Sequence, residues 1–145
     1  MIPARRVAFT AFVVFSGSED SAWWRLFTKR GFRHVQLIVP ADSGRSLFAG
    51  NGQSILINPM TWAVTVDIIP HGARDAGRIA LQHGASQVLE WPVDLRFERE
   101  FIPRGLLTCV SLIKAILGIH AWWCVTPEQL SVWMLRNGAK ELIEA

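Results

Sequence analysis

The apolar positions change period along the chain. Up to about residue 95 they alternate or run in short blocks punctuated by Gly, Pro, Asn and Asp. From residue 108 onward they recur at steps of three and four. Residues 7–15 are rich in β-branched and aromatic side chains and stop at Ser16-Gly17-Ser18, which predicts a strand ended by a turn. Ser18 or Asp20 is placed to cap a short helix over residues 21–27, closed by Lys29, Arg30 and Gly31. Residues 32–39 predict a second strand, halted by Pro40. Its alternation sets Phe32, His34, Gln36 and Ile38 on one face and Arg33, Val35, Leu37 and Val39 on the other.

The turn Gly50-Asn51-Gly52 joins residues 46–49 to residues 54–58 as a hairpin that Pro59 ends. Residues 61–69 alternate Trp62, Val64, Val66 and Ile68 against Ala63, Thr65, Asp67 and Ile69, again a strand, stopped by Pro70. Residues 73–84 fit helix or loop. Residues 87–95 have strand character with Pro92 inside, which predicts an edge or a bulge because proline has no N–H to give to a neighbouring strand. After Pro103 and Gly105 the helical period begins. Thr108 is an N-cap, Val110, Ile113, Lys114, Ile116 and Leu117 fall at helical spacings, and Gly118 closes the helix. Thr126, Pro127 and Gln129 mark a second start with a capping box, ended by Asn137 and Gly138. The expected architecture is one α+β domain over residues 1–145, an antiparallel sheet packed against a C-terminal helix that carries a cysteine, with strands first and two helices last.

Composition narrows the functional classes. A chain of 145 residues, half of them apolar, is long enough for one full core and too short for two enzymatic domains. Fifteen basic against twelve acidic residues leave a net charge of +3, too small an excess to demand a nucleic-acid partner. Two cysteines cannot form a disulfide framework, and neither stands in a Cys-x-x-Cys pair. Residues 1–15 superficially resemble a signal segment but lack a small-residue cleavage site, so the expectation is a first strand and a cytoplasmic or virion-associated protein. Residues 106–125 reach the length of a membrane span, but Lys114, Gly118 and His120 interrupt them, and a buried helix with a turn is expected instead.

Candidate chemistry gathers on four residues. Cys109 falls in the first turn of the best-marked helix, where N–H groups and the helix dipole favour the thiolate, the reactive form of cysteine. The competing reading is a small core residue. His34, in mid-strand on an apolar face, needs a polar partner if buried and is the candidate base; otherwise it is a structural histidine. Asn58 is placed to accept the second imidazole N–H and fix the tautomer, although Asn before Pro is also an ordinary turn residue. Gln36, on the His34 face, could orient the ring or donate to an oxyanion, as could the backbone N–H of Cys109.

The order of a strand histidine in Gly31-Phe32-Arg33-His34-Val35, a polar residue on a later strand, and Thr108-Cys109-Val110 opening an apolar helix resembles circularly permuted papain-like thiol hydrolases. These include NlpC-like amidopeptidases and lecithin:retinol acyltransferase-like enzymes. The resemblance spans about residues 7–118, and Thr126-Pro127-Glu128-Gln129-Leu130 is similar to the segment after the cysteine helix in small phage-encoded proteins of this type. It implies Cys109 as nucleophile, His34 as general base, Asn58 or Gln36 as third polar residue, no cofactor, and a peptide or peptidoglycan-like amide as substrate. The acyltransferase-like Asn-Cys-Glu-His stretch is absent, and His71 and His83 lie in turn-like sequence, so amide or isopeptide hydrolysis is expected over acyl-lipid chemistry. Two readings compete. One is a non-catalytic phage structural or host-interaction module of the same fold, docked in a larger virion or host assembly. The other is a nucleic-acid adaptor using Arg25, Lys29, Arg30 and Arg33 beside Trp23 and Trp24. His120 and Cys124 are too few for a zinc site, and no metal is expected.

Overall fold

The computed structural model describes residues 6–17, 31–41, 52–60, 63–96, 108–121 and 123–143. The predicted helix over residues 21–27, the basic cluster at Arg25, Lys29 and Arg30, and the first arm of the 46–58 hairpin lie outside the described residues.

The described strands are β1 (Arg6–Ser16), β2 (His34–Pro40), β3 (Ser54–Pro59), β4 (Val64–Ile69), β5 (Gln87–Arg96) and β6 (Lys140–Glu141). They form one antiparallel sheet in the order β4-β3-β2-β1-β5-β6. β1 runs down the middle, with Phe15 opposite Val35 on one side and Gln87 on the other. Three helices are described: α1 (Ala73–Gln82), α2 (Cys109–Leu117) and α3 (Pro127–Arg136). The class is α+β, as the periodicity predicts.

Alternation along the central strands creates two cores, one on each face. Ala11, Val13 and Phe15 of β1, Val35 and Leu37 of β2 and Leu89 and Val93 of β5 meet Val110, Ile113 and Leu117 of α2 and Leu130 and Met134 of α3. On the opposite face Phe12, Val14, Ile38 and Val88 meet Ala73 and Ala76 of α1 and Leu142. Central strands buried on both faces explain why residues 7–15 read as a continuous apolar run rather than a strict alternation. α1 lies tightly against its face: a Cβ on Gly77 would stand 2.9 Å from Leu142 Cδ2 and 3.3 Å from Val88 Cγ1.

The element order departs from the expected one in two places. Residues 73–84, readable as helix or loop, hold α1 between β4 and β5, and the chain returns after α3 to add β6 to the sheet. β6 has two residues, too few to show a period of two. Pro92 of β5 sits beyond the Leu89 and Glu90 positions that β6 covers, on a stretch without an outer neighbour among the described strands, which agrees with the edge expected from its missing N–H.

Candidate functional site

β2 begins at His34 and pairs with β3 through Leu37 opposite Ile57, Ile38 opposite Leu56 and Pro40 opposite Ser54. Continuing that register places Gln36 across from Asn58 and His34 on the diagonal, within reach of a long side chain. His34 is buried, 8% exposed, and its Nε2 lies 2.6 Å from Asn58 Oδ1. An amide oxygen only accepts, so Nε2 is the donor in this bond. Gln36 is half-buried on the same face of β2. Asn58 and Gln36, the two candidates for third polar residue, thus both stand beside His34, and Asn58 holds the hydrogen bond.

Cys109 is the first residue of α2 and is half-buried against the α2–α3 core. Thr108 caps it in extended conformation. Its Oγ1 accepts from the N–H of Ser111 at 3.1 Å, and Ser111 Oγ accepts from the N–H of Thr108 at 2.7 Å. The amides of Cys109 and Val110 stand just before the capped one, at the end of the helix where partial positive charge collects. Such a helix start presents N–H groups to a developing oxyanion.

The structure brings His34, Gln36 and Asn58 together on neighbouring strands and packs Cys109 against the α2–α3 core. Val35 and Leu37 belong to the α2–α3 core and Ile38 to the α1 core, so alternation directs His34 and Gln36 toward the α1 side. The alternation stops just before His34. Phe32, expected on the His34 face, instead packs in the α2–α3 core with its ring 5.8 Å from that of Phe15, because the strand begins only at His34.

Cys124 is buried, and its neighbourhood contains a residue whose role the spacing along the chain does not reveal. Lys114, which in sequence only interrupts an apolar run, reaches from mid-α2 to donate from Nζ to the carbonyls of Ala121 at 3.0 Å and Cys124 at 2.7 Å. It ties down the turn between α2 and α3. Burial pushes the Lys114 ammonium below its ordinary range, against the pull of Cys124. Burial likewise pushes the Cys124 thiol up, against the pull of Lys114. A cation inside an apolar stretch, four residues before a helix-ending glycine, was the available signal. Among the described residues no three His, Cys, Asp or Glu side chains cluster as a metal site, and no helix is long and apolar enough to cross a membrane.

No family model, no curated protein and no solved structure matches the chain.

Proposed function

We propose that this chain is a cysteine hydrolase of the permuted papain-like kind, acting on an amide or isopeptide bond. The single observation that carries the reading is the 2.6 Å bond from His34 Nε2 to Asn58 Oδ1. It orients the imidazole from its Nε2 side, the support a general base needs. Cys109, at a capped helix start, supplies the nucleophile. In this reading the Cys109 proton is taken by the ring of His34 at the N-terminal end of β2, where the strand alternation stops, and the thiolate attacks the carbonyl carbon. The tetrahedral oxyanion is held by helix-start N–H groups, His34 returns the proton to the leaving amine, and water releases the acyl-enzyme. A peptide or peptidoglycan-like substrate, phage origin and a virion-associated location belong to this proposal.

A second reading is a non-catalytic interaction module of the same fold, in which buried His34 and Asn58 are a structural pair.

Alkylation kinetics decide between them. In the hydrolase, iodoacetamide labels Cys109 much faster than Cys124 at neutral pH, and His34→Ala slows the Cys109 reaction by about tenfold or more, the thiolate fraction being set by its partner. Slow labelling of Cys109 that His34→Ala leaves unchanged overturns the hydrolase.

A further inference from the structure

The two edges of the sheet differ in a way that identifies a partner. β6, at one edge, has two residues and begins with Lys140, which are common protections against strand pairing. β4, at the other, is six residues long, contains no Lys, Arg or Pro, and has no outer neighbour among the described strands. Five of its six residues, Val64, Thr65, Val66, Ile68 and Ile69, are β-branched, the composition that best fits a pleated ladder. Its only charge is Asp67. Val64 is 50%, Val66 63% and Ile68 73% exposed, three aliphatic side chains in a row on the face that looks toward the α2 side, since Val66 lies opposite Ile57. An edge with no outer neighbour among the described strands, lined by such a row, is a template for another strand.

We propose that β4 pairs antiparallel with β4 of a second copy of this chain, about a two-fold axis through Val66, joining the two sheets into one. The register follows from symmetry. An axis perpendicular to the sheet preserves its faces, and directly opposed residues must share a face, so the axis passes through a residue and not between two. Centred on Val66, it sets Val66 against its own image and Val64 against Ile68 of the second copy, three aliphatic pairs on one face. On the other face Thr65 meets Asp67 of the second copy, twice. The one charge of the strand thereby faces a hydroxyl donor and is never directly opposite its own image, and this self-complementary register, donor against acceptor on one face and aliphatic against aliphatic on the other, selects the second copy as occupant. Within one chain Thr65 Oγ1 lies 3.5 Å from Asn58 O, a long contact for a hydroxyl, and the carboxylate of Asp67 is the stronger acceptor. Neighbouring centres do worse. An axis through Asp67 would oppose two like charges, and one through Thr65 would put Asp67 against Ala63. Thr65 is opposite Asn58 in β3, so the joined sheet would also steady the strand that holds Asn58. The pairing stands whether or not Cys109 is a nucleophile.

Sedimentation velocity of the full chain over a concentration series, together with disulfide trapping, tests the proposal. The wild-type chain sediments as a dimer, and Val66→Lys raises the dissociation constant by about tenfold or more, because two like charges meet at the axis. Under mild oxidation Val66→Cys cross-links to its own image. Val64→Cys and Ile68→Cys cross-link when mixed and not singly, and the wild-type cysteines provide the background. A chain that stays monomeric at every concentration overturns the proposal, as does a dimer indifferent to Val66→Lys or one trapped by Val64→Cys alone. Where Val66→Lys fails to fold, the three cysteine variants carry the same decision.

Discussion

His34 and Asn58 are 24 residues apart in sequence and meet at 2.6 Å across neighbouring strands, Nε2 against Oδ1. β2 and β3 bring them together through a diagonal of the ladder, and burial of His34 removes the water that would otherwise serve the N–H. Asn58→Ala leaves that N–H without its acceptor, at an expected cost of about 1–3 kcal/mol. Urea unfolding reads the loss, and the ring nitrogen shifts in NMR report whether the Nε2–H form still dominates. If the pair orients a base, the same substitution slows iodoacetamide labelling of Cys109. A purely structural pair loses stability with no change in labelling.

Gly118 ends α2 at φ 72° and ψ 28°, in the left-handed region, with open space where a side chain would stand. Its N–H and that of Ile119 close the last turn on the carbonyls of Ala115 and Lys114. Since no neighbour would be struck, Gly118→Ala isolates the cost of the backbone conformation, about 1–2 kcal/mol. Gly118→Asn loses less, because Asn tolerates this region. Equal stability of the wild type and the Ala variant in chemical denaturation would show that the turn relaxes to another conformation.

Lys114 holds the turn between α2 and α3 through two carbonyls. Lys114→Met keeps the length and apolar stem of the side chain and removes both bonds, for an expected loss of at least about 1.5–3 kcal/mol, the range for one hydrogen bond to a charged group. The effect is local in kind. Amide exchange accelerates in residues 119–125, which the ammonium holds in place, and changes little in β1, whose core contacts are made elsewhere. Uniform acceleration along the chain would instead mark Lys114 as a global core contact.

The legible parts of this sequence were those whose signals are local. Thr108, and Thr126 with Pro127 and Gln129, mark their helix starts within four residues, and both helices begin where those residues stand. Strand alternation was readable at β4, where one face is open, and it placed Val64, Val66 and Ile68 on one side. Phe32 went to the wrong face because a period of two says nothing about where a strand starts, and the chain bends at Arg33 before β2 begins. α1 was ambiguous because its buried positions are Ala73, Ala76 and Gly77, small residues that pack closely on the sheet without contributing an apolar stripe. For the candidate site, Asn58 could be chosen from its strand-end position. The faces that His34 and Cys109 occupy depend on which core each layer joins, a tertiary fact absent from the spacing.

Cys124 makes stability depend on pH, with a sign that burial sets. Its thiol donates to Gln129 O at 3.7 Å and is held above its ordinary range, with the Lys114 ammonium pulling the other way. The folded state therefore keeps a proton that the unfolded chain releases near the ordinary thiol value of about 8.5. The stability this contributes is fully present below that value and is lost as pH rises through the folded one. Lys114 works oppositely. Its ammonium is disfavoured by burial, so its contribution is present above the ordinary lysine value of about 10.4 and is lost as pH falls through the lowered one. Comparing wild type with Cys124→Ala isolates the thiol. The difference in urea stability between them is flat up to about pH 8 and then moves against the wild type, by at most about 1.4 kcal/mol per pH unit. Parallel profiles through this range would mean that Cys124 ionises in the folded chain as readily as in the unfolded one, and that burial does not control it.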